Sequence, residues 1–131
     1  MLELARRNAK NAGASNATFI EAFITSIPMP SSTIDCIISN CVVNLVPEAE
    51  KPLVFHEMFR LLKPGGRVAI SDILAKRELP MAIKTDLSLH VGCIAGASQV
   101  SDYERYLKEA GFQGIVLALL SLFRVISSTD T

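Results

Sequence analysis

Ile34 to Leu74 carries, in order, an apolar strand pattern, a helix pattern and a second strand pattern, and this succession limits the fold more than any other feature of the chain. Ile34-Asp35-Cys36-Ile37-Ile38-Ser39 has few polar breaks, the composition of a central parallel strand covered on both faces. Pro52 suits the first turn of a helix over Leu53 to Leu62. Within it Val54, Met58 and Leu62 recur at helical spacing with Phe55 and Phe59 beside them, a core stripe from which Glu57 and Arg60 lie apart. Lys63-Pro64-Gly65-Gly66 then breaks the helix, and Arg67 to Leu74 resumes as a strand. Strands that alternate with helices in this way predict an α/β layered domain.

The flanks extend the alternation. Met1 to Ala12 is rich in helix formers, with Glu3 early, Lys10 late and Gly13 placed to end the helix. Ala17 to Glu21 reads as a short strand, Pro28 to Ser32 as a loop, and Pro80 to Leu89 as a helix. Ser101 and Glu104 have the spacing of a capping box that opens a helix over Asp102 to Ala110, ended by Gly111. With 131 residues, half of them hydrophobic, the chain can bury one core but not two. Thirteen basic residues balance thirteen acidic ones, so there is no basic stripe for nucleic acid. The amphipathic start has no signal-peptide core. The longest apolar stretch, Ile115 to Phe123, is shorter than the ~20 residues of a membrane helix. Three cysteines without a leader read as reduced thiols. The expectation is a soluble cytoplasmic domain with no nucleic-acid or membrane partner.

Two of the thiols occupy positions where a ligand could be met. Cys41 follows the Ile34–Ser39 strand in the run Ser39-Asn40-Cys41-Val42-Val43-Asn44-Leu45, and ligands of open α/β sheets bind beyond the carboxyl ends of the strands. Cys93 lies in the glycine-bracketed Val91-Gly92-Cys93-Ile94-Ala95-Gly96-Ala97. Cys36, in mid-strand, reads as core packing. His90 receives no role, since a histidine at a helix end commonly meets carbonyls and the dipole. Asp72, at the end of a strand, is equally a site residue or a turn residue.

The helix, Leu-Lys-Pro-Gly-Gly and strand of Phe55 to Asp72 resemble the late part of class I S-adenosylmethionine-dependent methyltransferases. The two cysteine segments together are narrower and resemble arsenite methyltransferases, over about Met1 to Gly114. The resemblance implies a Rossmann-like α/β domain with a mostly parallel sheet and methyl transfer from S-adenosylmethionine to trivalent arsenic. Cys41 and Cys93 would hold the arsenic, delivered as a thiol conjugate with a thiol reductant as partner, while its lone pair attacks the sulfonium methyl group. Soft thiolates suit such a centre, and the transfer asks for alignment and exclusion of water more than for a general base. No metal other than arsenic is implied.

The chain also departs from that pattern. It contains neither the superfamily's glycine-rich loop nor the acidic residue for the ribose hydroxyls, and the family's upstream cysteines are missing. The cofactor positions that match are Ile24 and Thr25 on the adenine side, where the family commonly has Ile-Glu, and Asn40, Cys41 and Val42 at the strand end. Residues 1–114 are therefore expected to be a partial methyltransferase domain, without its first strand, glycine loop and second strand, and 115–131 a divergent apolar tail. An incomplete or mis-spliced gene product would account for both ends. Ala17–Glu21 would lack a neighbour and Ile34–Ser39 would become an open edge prone to self-association. Such a chain is expected to bind trivalent arsenic but S-adenosylmethionine weakly or not at all. Two alternatives stay open: a methyltransferase for a small organic molecule such as a quinone precursor, and a non-catalytic arsenic-binding or interaction fragment.

Overall fold

The computed structural model describes residues 1–86 and 94–118. Helix α1 spans Leu2–Asn11 and stops before Gly13, as its sequence predicts. Strand β1 is Ile34–Asn40 and helix α2 is Lys51–Leu61, with single 3-10 turns at Val43–Leu45 and Glu48–Glu50 between them. Strand β2 follows at Leu62–Ser71, then the short helix α3 at Met81–Lys84 and α4 at Val100–Ala110. β1 and β2 pair in parallel, residue for residue from Cys36–Arg67 to Asn40–Ser71. Ile34 pairs with Leu62, so Lys63-Pro64-Gly65-Gly66 is looped out of the ladder as the chain leaves α2. The chain is thus α/β with parallel pairing.

The core lies on one face of this pair. Val54, Phe55 and Met58 of α2 meet Tyr103, Tyr106, Leu107 and Ala110 of α4, with Val43 between, and Ile37, Val68 and Ile70 pack on from the strands. Phe55 is fully buried, its ring 4.9 Å edge-on from Tyr103 and 6.0 Å from Tyr106. Phe59, expected in the core, is half exposed and meets Phe112 edge-on at 5.3 Å. Its ring lies beneath Gly111, whose φ of +106° ends α4 and leaves no room for a side chain there.

Several sequence expectations are corrected. β1 is covered on one face only: Ile38 is 81% exposed and Cys36 is exposed, so Cys36 is not a core residue. Side chains alternate across a strand, and the described residues put nothing against the face that carries Cys36, Ile38 and Asn40. Ala17–Glu21 is not a strand, because among the described residues no strand runs beside it to complete a ladder. β2 ends at Ser71 rather than Leu74. Of the expected Pro80–Leu89 helix only Met81–Lys84 is helical among the described residues, and 87–89 lie outside them. The capping box does not form: α4 begins two residues earlier, with Gln99 as its cap and no side-chain capping bond.

Glu57 is likewise no solvated residue. It is 8% exposed, accepts the Ile27 amide at 2.7 Å and pairs with Arg60 at 2.7 Å. Arg60 in turn donates to the Met29 and Ile27 carbonyls at 2.9 and 3.1 Å and to Ser31 Oγ at 3.1 Å. Together they pin the Ile27–Ser31 loop onto α2. The Arg60 bonds hold the Glu57 carboxyl below its ordinary 4.5, with help from the Ile27 amide and against burial. A depressed carboxyl stabilises the fold above pH 4.5, and that contribution fades as pH falls through the lower folded-state value. Glu57→Gln is therefore expected to lower the urea midpoint at neutral pH, and the gap between variant and parent should shrink between about pH 5 and about pH 3. A gap that stays constant over that range would contradict the assignment.

Candidate functional site

The carboxyl ends of β1 and β2 carry the candidate site. β1 ends at Asn40, and Cys41 then takes φ of +53°, which a non-glycine residue adopts only at a cost of about 1 kcal/mol or more. This turn directs the chain from the strand into Val43–Leu45. It is held by the Cys41 amide, which donates to the Ser71 carbonyl at 2.8 Å. Cys41 is half-buried, with exposed Asn40 and Val42 on either side. The thiol expected at the strand end is therefore there, on a strained and partly accessible turn.

Asp72, immediately beyond β2, supports that turn. Its carboxyl accepts the Tyr103 hydroxyl at 3.3 Å and lies beside the Val43 and Asn44 amides. Burial pushes Asp72 up, only partly offset by these donors, and burial and the neighbouring carboxyl push the Tyr103 phenol up in turn. Asn44 is fully buried and donates its side-chain amide to the Ile73 carbonyl at 2.7 Å. The turn after Cys41 is thereby tied to the end of β2 at several points.

Cys93 and His90 lie outside the described residues. From Ile94 onward, the segment that follows Cys93 in sequence packs on the turn following Cys41. Gly96 lies so close to Asn44 that a Cβ there would run into the Asn44 carbonyl oxygen. Ala75 and Val100 complete the attachment: the Ala75 amide donates to the Ser98 carbonyl at 2.9 Å and the Val100 amide to the Ala75 carbonyl at 3.3 Å.

A polar cluster, buried at Lys51, Ser98 and Tyr106 and open to solvent at Glu48, joins these segments to the helices. Lys51, at the start of α2, is 1% exposed. Its Nζ donates to Glu48 Oε2 at 2.7 Å, to Ser98 Oγ at 2.7 Å and to the Gly96 carbonyl. Glu48 also accepts the Tyr106 hydroxyl at 2.7 Å and that of Ser98 at 3.2 Å. Burial raises the Glu48 carboxyl, but hydrogen bonds from Lys51, Tyr106 and Ser98 outweigh it and hold it below its usual value. Burial and the Glu48 bond push Tyr106 up to about 12. Sequence reasoning missed this cluster. One signal was legible: a cation at the first turn of a helix opposes the helix dipole, so Lys51 needs a local acceptor.

Of the cofactor-side positions, Ile24 and Thr25 are half-buried in the turn between Phe23 and Ser26. The residues Met1, Leu2, Glu3, Ile20, Glu21 and Ala22 line a cleft of about 420 Å³ that does not include Cys41. Among the described residues no cluster of histidine, cysteine and carboxylate side chains is arranged to hold a metal ion. No helix of the described residues is long and apolar enough to cross a membrane.

Parallel strands that run into a turn at their carboxyl ends, with a helix and a break between them, make this an α/β arrangement. The comparison with known families agrees: the profile of a methyltransferase domain matches residues 1–111, and the chain belongs to that family. Within it, the chain is similar to the arsenite methyltransferase of Halobacterium salinarum, 41% identical over 118 residues that make up 90% of this chain and 30% of that protein. A solved structure of an arsenic(III) S-adenosylmethionine methyltransferase from Chlamydomonas reinhardtii superposes with a TM-score of 0.66 at 37% identity, covering 74% of this chain and 33% of that one. The ubiquinone/menaquinone biosynthesis C-methyltransferase UbiE of Salmonella newport is 32% identical over 114 residues, 84% of this chain and 45% of that protein. The chain thus spans less than half the length of each of these relatives.

Proposed function

We propose that this chain supplies the arsenic-holding part of an S-adenosylmethionine-dependent arsenite methyltransferase, working in a reducing cytoplasm, with Cys41 and Cys93 as thiol ligands. One observation carries the reading: Gly96, three residues after Cys93, is packed on Asn44, three residues after Cys41. The residues that follow each thiol in sequence are thus in contact near the strand ends, where ligands of open α/β folds bind. Each thiol replaces a hydroxyl group of arsenous acid, and its proton leaves with that hydroxyl as water. A soft trivalent centre held by two sulfurs is the outcome. Arsenic brought as a thiol conjugate exchanges in the same way, with a small thiol as leaving group and reductant.

The cofactor side is thinner. S-adenosylmethionine supplies the methyl group when bound, and Ile24, Thr25, Asn40, Cys41 and Val42 could meet one edge of it. They bring no carboxylate, and no glycine-rich loop accompanies them. The residues present therefore do not fit the whole cofactor. Residues 1–114 act as the methyltransferase part and 115–131 as a divergent tail, and the open edge of β1 supports self-association.

Calorimetry on the full chain tests the reading. Trivalent arsenic is expected to bind one-to-one, and Cys41→Ser/Cys93→Ser to weaken it at least ~100-fold, because the second sulfur binds intramolecularly. S-adenosylmethionine is expected to show no submillimolar binding. Unchanged arsenic affinity in the double variant would sink the proposal. The relationship to UbiE favours a second reading, in which the acceptor is a small quinone precursor and both cysteines are structural. Product analysis with arsenite against such acceptors, using this chain joined to the amino-terminal portion of a relative, separates the two.

A further inference from the structure

We infer that Lys51 is a positioning residue, a latch that sets the spacing between the turn after Cys41 and the segment after Cys93 so that two thiols can reach one arsenic atom. This rests on the arsenic-holding reading above. A lysine ammonium has three N–H groups, and each has an acceptor here: Glu48 Oε2, Ser98 Oγ and the Gly96 carbonyl. Two of those acceptors belong to the segment that follows Cys93. The third, Glu48, is fixed to α4 by the Tyr106 hydroxyl.

The same segment is pressed on the other side against Asn44, which is tied to the end of β2 through the Ile73 carbonyl. A continuous line of contacts therefore runs from the Cys41 turn through Asn44 and Gly96 to Lys51, Glu48 and Tyr106. Lys51 is 1% exposed and Ser98 3%, so the bond between them is shielded from water, whereas the Glu48 carboxylate is open to solvent on its far side. A surface lysine with one carboxylate partner would steady a helix end. A buried one that spends two donors on a single crossing segment fixes where that segment sits. Chelation by two thiols depends on their effective concentration for each other, which such a crossing sets.

The test uses the full chain in a Cys36→Ser background, so that only Cys41 and Cys93 react. Phenylarsine oxide condenses with two thiols to give a dithioarsinite and water, whereas iodoacetamide alkylates one thiol with loss of hydrogen iodide. Lys51→Met is expected to weaken phenylarsine oxide binding about tenfold while the rate of Cys41 alkylation changes by less than about twofold. General loosening would instead accelerate alkylation. Ser98→Ala removes one acceptor only and is expected to weaken the dithiol probe about threefold; it decides the matter if Lys51→Met does not fold. Tight phenylarsine oxide binding by a folded Lys51→Met, or by Ser98→Ala when the first variant is unfolded, overturns the latch and leaves the thiol assignment standing. Failure of the parent chain to bind the probe, or equal binding by Cys41→Ser/Cys93→Ser, overturns both.

Discussion

Phe55→Ala is expected to abolish cooperative unfolding of the isolated chain at room temperature. Phe55 is fully buried and is the residue that both tyrosines of α4 pack upon. Removing such a ring costs about 3–5 kcal/mol, from lost transfer free energy plus the cavity left behind. A small domain has only about 5–15 kcal/mol in total. This one starts low in that range on structural grounds, because among the described residues nothing covers the face of its strand pair that carries Ile38. The surroundings cannot collapse into the cavity cheaply, since Tyr103 and Tyr106 are each held at the hydroxyl by a carboxylate. Phe55→Leu, which keeps most of the volume, should fold with a lowered urea midpoint followed by circular dichroism. An alanine variant with the parent midpoint would mean that the α2–α4 contact is not what holds the chain together.

What could be read in the sequence follows from what each signal depends on. The α2, proline–glycine break and β2 unit was legible because every part of it is local: Pro52 at a helix start, a stripe at helical spacing, then residues that end a helix. Cys41 was placed correctly for the same reason, since the end of β1 is set by the apolar run itself. Its positive φ was not legible, because cysteine carries no mark of that conformation. The covered β1 failed because apolar content reports what a strand could bury, not which partners lie alongside it; Ile38 and Cys36 therefore stayed exposed. The capping box failed through a tertiary override. The bridge between Ala75 and Gln99 holds the chain extended up to Gln99, so α4 starts at Val100 and places Ser101 inside the first turn.

Charge pattern misled in the same way. Glu57 and Arg60 sit off the apolar stripe, which on a lone helix means solvent, but the Ile27–Ser31 loop crosses over them, burying Glu57 and engaging the partly exposed Arg60. Lys51 and Glu48 were unreadable as a pair with Ser98 and Gly96, because their partners are more than forty residues away in sequence. The site's support is thus long-range, while its candidate thiol ligand Cys41 lies on a locally specified strand end. A chain of this kind can retain recognisable ligand positions and still owe their geometry to residues that no short motif contains.

Gly96→Ala is the substitution expected to strike the fold and the site together. The added Cβ meets the Asn44 carbonyl oxygen, a backbone atom with no rotamer to yield. Overpacking of this sort costs about 1–3 kcal/mol, more where backbone must move. The glycine is needed for close approach and not for an unusual φ, since it is absent from the residues with positive φ. Relief requires the Ile94–Ser98 segment to move away from the Val43–Leu45 turn. That movement stretches the Lys51 bond to the Gly96 carbonyl and separates the segments that follow Cys41 and Cys93 in sequence. The urea midpoint should therefore fall, and in the fraction that remains folded the dithiol probe should bind more weakly than it does to Lys51→Met, because both sides of the crossing are disturbed. Asn44→Ala should not rescue the variant, since the obstructing oxygen belongs to the main chain. A Gly96→Ala protein with the parent midpoint and parent affinity for phenylarsine oxide would show that the two segments are not in contact in solution, and the thiol pairing would lose the observation that carries it.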